Sequence, residues 1–122
     1  MDIQAKIEQL KKKLEGGYPE DIAQVEAWER EAKEQMLVDE LGEHAGMRLI
    51  REELERRAKA MEENLAKDRG PEELTEKSAV VWALARRSVF DKLEIYKWFL
   101  GLFPMAKERV GAIGEAVERE LK

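Results

Sequence analysis

The sequence contains no cysteine and only one histidine among its 122 residues. Disulfide bonds and thiolate metal sites are therefore excluded, and an intracellular protein is the simplest expectation. The longest nearly uncharged run is about half of the roughly 20 residues that a membrane-spanning helix needs. The sequence thus predicts no transmembrane segment.

No run of alternating polar and β-branched residues is present, so the sequence predicts no strand. Apolar residues instead recur at spacings of three and four, which is the helical period. Charged residues make up 40% of the chain with both signs mixed, as is typical of solvent-facing helices, and the net charge of −5 argues against binding to nucleic acid. We therefore predict an all-α protein whose residues 1–122 form a single domain.

Two N-terminal helices are predicted within residues 1–41. Asp2 is placed as the N-cap of helix one and Gly16-Gly17 as its end. Helix two begins at Pro19, and the two glycines that follow its predicted end at Leu41 favour a break before the next helix. The stripe residues of these two helices are Ile3, Ile7, Leu10 and Leu14, then Ile22, Val25, Trp28, Ala32 and Met36.

Residues 46–103 are predicted to form a long antiparallel helical hairpin, around which the other helices pack. Helix three should end before Gly70-Pro71, and helix four should run from about Thr75 to Leu102. Either Thr75 or the residues ahead of Pro71 could cap helix four. Gly101 and Pro104 are predicted to end helix four, with Pro104 opening a C-terminal helix over 104–122. The expected fold thus has four to five helices.

The end of helix four is apolar on nearly every face. Leaving its large side chains in water would cost on the order of 10 kcal/mol of stabilisation, so they must be covered by something. A monomer core and an interface between chains both satisfy that demand, whereas a membrane-surface segment should carry more flanking lysine and arginine. Because the other helices offer only narrow apolar stripes, we favour an interface. Its predicted contact residues are Trp98, Phe99, Leu102 and Phe103.

No pattern in the sequence indicates catalysis or a cofactor. His44 lies near Glu40 and Glu43, but the Glu-x-x-His pattern of helical metal sites is absent because Leu41 occupies the required position. His44 is therefore expected to be a capping or surface residue at the turn between helices two and three. Neither a phosphate-binding glycine loop nor a Ser-His-Asp set is present, and the paired glutamates fit solvated helix faces. We expect no enzyme, no metal and no cofactor.

Several short motifs in residues 43–103 together resemble those of a known group of proteins. The motifs are Glu43-His44-Ala45-Gly46, Leu49-Ile50-Arg51-Glu52-Glu53-Leu54, Asn64-Leu65, Arg86-Arg87 and Tyr96-Lys97-Trp98-Phe99-Leu100 with Phe103. Together they resemble small helical-hairpin proteins encoded among the head and packaging genes of tailed bacteriophages. The resemblance implies a component of a virion or of its assembly, in the cytoplasm of a bacterial host or in the virion itself.

Two functions remain open at this point. The first is a non-enzymatic structural or assembly protein, such as a phage virion or head-assembly component, that works through helix–helix self-association as a homo-oligomer or with other assembly subunits. The alternative is a small regulatory protein that binds a host or cellular protein through the same apolar aromatic surface.

Overall fold

A computed structural model describes residues 2–122, which form four α-helices and, within that range, no strand. The helices are α1 (Ile3–Lys13), α2 (Pro19–Glu43), α3 (Ala45–Lys67) and α4 (Glu76–Leu121). The all-α prediction is confirmed. The chain divides into two compact units. The terminal unit holds the residues up to His44 together with Leu102–Lys122, and the central unit holds Ala45–Gly101. The single-domain assignment stays a prediction.

Helix α1 begins and ends where its local chemistry dictates. The Asp2 carboxylate accepts a hydrogen bond from the backbone N–H of Ala5 at 2.8 Å, which satisfies one of the donors that a helix start leaves open. After the last turn, Gly16 adopts a φ of +76°, a left-handed conformation that residues with a Cβ rarely adopt. The predicted cap and end of helix one are both confirmed.

Helix α2 starts with Pro19 at its first turn, where the missing N–H of proline costs nothing. It extends two residues beyond the predicted end and stops at Glu43. His44 is extended, and its backbone N–H donates to the carbonyl of Leu41 at 3.1 Å. Since α3 begins at Ala45, the predicted break between Gly42 and Gly46 is confirmed, and His44 occupies the interhelical turn as expected.

The core of the terminal unit is built by α1, α2 and the last part of α4. Its members are almost fully buried, as expected for the apolar stripes of amphipathic helices. They are Ile7, Leu10, Val25, Ala32, Ile113 and Val117, with Ile3, Leu14, Trp28 and Leu121 packed around them.

Ion pairs join the same three helices around this core. Lys6 on α1 pairs with Glu118 on α4, and Lys11 on α1 pairs with Glu29 on α2 at 2.5 Å. The hydrogen bond from Lys11 is the main cause that lowers the pKa of Glu29 below its ordinary value. Such pairs contribute little each at a protein surface, but they favour this helix arrangement over those that would place like charges together.

Helix α4 begins with a reciprocal cap. The backbone N–H of Ser78 donates to the Thr75 hydroxyl at 3.1 Å, while the backbone N–H of Thr75 donates to the Ser78 hydroxyl at 2.8 Å. This exchange satisfies two backbone donors at once, in the manner of a capping box. Of the two caps that the sequence left open, the structure uses Thr75.

The predicted end of helix four at Gly101 and Pro104 is wrong. Helix α4 continues for 46 residues and contains Pro104 in its interior, so the predicted C-terminal helix over 104–122 is part of α4 and the chain has four helices in its described range. The ring of Pro104 is exposed, and a proline φ of about −65° suits a helix. Burial of Phe103 and Ala106 on either side of it offsets the lost backbone hydrogen bond.

The buried stripe leads to a prediction about stability. Leu10 is fully buried in the terminal core, whereas Leu37 on α2 is 66% exposed. Leu10→Ala should lower the free energy of unfolding by about 2 to 5 kcal/mol, because the removed atoms leave a cavity. Leu37→Ala should change it by about 0.5 kcal/mol or less. Urea denaturation of both variants checks this, and equal losses would contradict the core assignment.

The continuous course of α4 leads to a second prediction. Inside a helix, proline costs up to about 3 kcal/mol relative to alanine, but at a first helical position it is favourable. Pro104→Ala should therefore raise the free energy of unfolding by about 1 to 3 kcal/mol in thermal or urea melts. Glu108→Ala, an exposed change on the same helix, serves as the control and should be nearly neutral. A loss of stability in Pro104→Ala would instead favour two separate helices.

Candidate interaction surface

Asp68, directly after α3, positions the start of α4 in the central unit. Its carboxylate accepts hydrogen bonds from the indole N–H of Trp82 at 2.8 Å and from the Arg86 guanidinium at 3.3 Å. It also accepts one from the backbone N–H of Gly70 at 3.0 Å. Arg86 in turn donates to the carbonyl of Leu65 at 3.3 Å. Because these bonds join the end of α3 to two successive turns of α4, they fix the rotation of α4 about its own axis.

The same contacts set the charge state of Asp68. The Gly70 N–H, then the Trp82 N–H and the Arg86 charge, hold the pKa of the Asp68 carboxyl below its ordinary value. Arg86 lies with its guanidinium carbon 5.5 Å from the centre of the Trp82 ring and 5.3 Å from that of Phe90, within the range of cation–π attraction. The carboxylate is thus ionised and held in place at neutral pH.

One side of α4 contacts α3 within the central unit. Trp82 and Val89 line a groove of about 320 Å³ together with Met61 and Leu65 of α3. Further along the same side, Leu93 is only 5% exposed. Lys97 adds an ion pair with Glu62 of α3, at 2.7 Å.

The opposite side of α4 is an exposed apolar surface, which we call the outer face. At 100° per residue, its centre lies about 150° around the helix from the side that contacts α3. Its four large apolar side chains are 59 to 65% exposed. The outer face consists of Val81, Leu84, Ser88, Asp91, Ile95 and Trp98, at spacings of three and four residues.

The structure separates the four contact residues predicted from the sequence. Trp98 is 65% exposed on the outer face, and Phe99 beside it is half-buried, both in the central unit. Leu102 and Phe103 belong to the terminal unit, where Leu102 is half-buried and Phe103 is 4% exposed. Phe103 therefore has the burial of a core residue in the single chain. That these residues meet another chain stays a prediction.

Sequence reasoning missed Val81, Leu84 and Ile95 as members of one surface. The signal was present, since these residues continue the spacing of three and four backward from Trp98. The signal is ambiguous because a second apolar stripe, containing Trp82, Val89 and Leu93, lies on another face of the same helical segment. Only the contacts with α3 tell which stripe faces inward.

Elsewhere in the part of the chain that the structure describes, we find a groove but no metal-binding cluster. Among residues 2–122, no three His, Cys, Asp or Glu side chains lie close enough together to hold a metal ion. A groove of about 300 Å³ in the terminal unit has a mixed lining, formed by Leu10, Leu14, Asp21, Gln24, Val25, Trp28 and Glu120. None of the helices in the described range is long and apolar enough to cross a membrane.

Fold and surface together define the class of this protein as a small all-α protein with an exposed apolar helix face. Comparisons with protein-family models, curated proteins and solved structures found no match for the chain. The geometry of the outer face is therefore the basis from which function is inferred.

The lowered pKa of Asp68 leads to a prediction about pH. A carboxyl whose pKa is lower in the folded state stabilises the fold above its unfolded pKa of about 3.9, and this contribution is lost as the pH falls through the folded pKa. Asp68→Asn should therefore melt below the wild type at pH 7, and the difference should shrink as the pH falls through the folded pKa of Asp68. Trp82→Phe, which removes one donor and retains a ring, should show an intermediate pH dependence. A difference that does not vary with pH would contradict this role of Asp68.

Proposed function

We propose that this chain is a non-enzymatic structural or assembly subunit that works through helix–helix self-association. The observation that carries the proposal is the outer face of α4, where Val81, Leu84, Ile95 and Trp98 are each more than half exposed. Monomeric proteins scatter such residues singly, whereas a row of them along one helix face is typical of an interaction site.

The proposal includes the long antiparallel hairpin of residues 46–103. Contacts within the central unit support it, because Asp68 at the end of α3 meets Trp82 near the start of α4, while Glu62 lies earlier in α3 and meets Lys97 later in α4. A two-helix hairpin can bury only one stripe of each helix against the other. In such a hairpin, the outer face of α4 would be left for a partner.

The energy available at the outer face is large enough to matter. Burying one large apolar side chain stabilises by roughly 1.5 to 3 kcal/mol when burial is complete. For the half-exposed side chains of two copies, the gross gain is on the order of 10 kcal/mol, and the loss of translational and rotational freedom offsets much of it. We therefore expect weak and concentration-dependent association, which suits a subunit that assembles only when many copies are present.

The resemblance of residues 43–103 to phage helical-hairpin proteins supports a more specific form of the proposal. In that form the chain is a component of a virion or of head assembly, found in the cytoplasm of a bacterial host or in the virion. Self-association is the property that such a role would require of this surface.

Sedimentation of the 122-residue chain over a range of concentrations tests the proposal. We expect the average mass to rise with concentration above that of the 14.1 kDa monomer. Trp98→Ala should weaken association about thirtyfold, since truncating an aromatic anchor of an interface commonly costs about 2 kcal/mol. Leu74→Ala, which alters an exposed residue outside α4, is the matched control and should leave the mass unchanged.

Two outcomes would contradict the proposal. A monomer at every concentration would argue for the alternative function, a regulatory protein that binds a different protein through this surface. An unchanged mass in Trp98→Ala together with a lower melting temperature would show that Trp98 supports the fold rather than an interface.

A further inference from the structure

The outer face of α4 has a pattern that is complementary to itself. Apolar residues occupy its two ends and polar residues its middle, in the order Val81, Leu84, Ser88, Asp91, Ile95 and Trp98. If a second copy of α4 lies on this face in the opposite direction, Val81 meets Trp98 and Leu84 meets Ile95. The remaining pair, Ser88 with Asp91, is polar on both sides. The residue numbers of each pair add to the same total, which is what twofold symmetry requires.

We infer that two copies of this chain pair through the outer faces of α4 in an antiparallel arrangement, with the twofold axis between residues 89 and 90. This inference rests on the proposed function and names its partner as a second copy. The paired segment from Val81 to Trp98 is about 26 Å long at 1.5 Å per residue. Because the outer face lies nearly opposite the side that contacts α3, the second copy can approach without displacing α3.

Charges along the edges of the face support the antiparallel direction. Arg87 and Glu94 lie on one edge, and Ala85 and Lys92 lie on the other, all of them exposed. In an antiparallel pair each edge meets the same edge of the second copy. Arg87 then faces Glu94 of the second copy, and symmetry gives this pair twice. Within residues 2–122 of the single chain, neither Arg87 nor Glu94 forms a salt bridge.

The parallel alternative has the opposite electrostatics. In a parallel pair one edge meets the other edge, so Arg87 would face Lys92 of the second copy. Identical face residues would also meet, which places the two Asp91 carboxylates together in the middle of the interface. Like charges in such positions disfavour pairing. The charges of this segment therefore select the antiparallel direction.

The polar middle of the face sets the register. In the antiparallel pair the hydroxyl of Ser88 can donate to the Asp91 carboxylate of the second copy, on both sides of the axis. A shift by one heptad would place Asp91 against an apolar side chain and leave its charge without a donor. A polar group at one core position commonly specifies register in this way, at some cost in affinity.

A charge exchange tests the direction of pairing in the full chain. Arg87→Glu should raise the dissociation constant by about tenfold or more, because it places glutamate opposite Glu94 of the second copy on both sides. Combining it with Glu94→Arg should restore the dissociation constant to within about threefold of the wild type. A parallel pair predicts the opposite sign for Arg87→Glu, which would then relieve repulsion with Lys92 and tighten association.

Cysteine crosslinking tests the register. Because the sequence contains no cysteine, every crosslink must join the cysteines that are introduced. A mixture of the Leu84→Cys and Ile95→Cys chains with a short bis-maleimide should give a crosslinked heterodimer. Either chain alone should remain largely uncrosslinked on a denaturing gel. Ala83→Cys mixed with Ile95→Cys is the control, since Ala83 is exposed but turned about 100° away from Leu84. Circular dichroism of each variant verifies that it is folded.

The outcomes separate this inference from the proposed function. Wild-type association together with crosslinking of Leu84→Cys to itself, or no restoration by the charge exchange, would overturn the antiparallel pair and leave self-association standing. A wild type that is monomeric at all concentrations would overturn both. The antiparallel pair is supported if crosslinks form only when the Leu84→Cys and Ile95→Cys chains are mixed, and if the combined Arg87→Glu and Glu94→Arg variant regains the dissociation constant of the wild type.

Discussion

The rotation of helix α4 about its own axis is the constraint on which the rest of the central unit depends. That rotation is set by the Asp68 carboxylate, which holds the indole N–H of Trp82 and the guanidinium of Arg86. The stripe that contacts α3 and the outer face lie about 150° apart around the helix, so a rotation of that size would exchange the side chains that are buried for those that face water. A polar contact at the helix start therefore decides which apolar side chains are buried and which remain available to a partner.

Helix α4 contributes residues to both units of the chain. Its first part contributes Leu93 to the central unit, and its last part contributes Ile113 and Val117 to the core of the terminal unit. Helix α4 continues through Pro104, and Phe103 and Ala106 are buried on either side of the proline. The apolar burial on both sides exceeds what a single missing backbone hydrogen bond costs.

The internal packing of the two units leaves apolar side chains of α4 exposed, and these bear on function. In the described part of the chain no cluster suited to metal binding exists, and the groove between α1 and α2 has a mixed apolar and polar lining. The outer face of α4 is an apolar surface that the internal packing does not use, since Leu84 and Trp98 stay largely exposed. An apolar row with a polar centre suits weak and specific association better than strong and permanent association, because the polar layer adds selectivity while lowering affinity.

Local chemistry in the sequence determined the helical class, the cap at Asp2 and the break after α2, since these features depend on residues a few positions apart. It left open whether Thr75 or the residues ahead of Pro71 cap α4, and the structure uses Thr75. The sequence did not determine the course of the chain at Pro104, where a local preference for a helix start lost to the packing of Phe103 and Ala106. It also did not separate exposed Trp98 from buried Phe103. Both residues lie in a segment that is apolar on nearly every side, so periodicity alone does not tell which of its faces is covered, and the contacts made in the tertiary structure decide which side chain is buried.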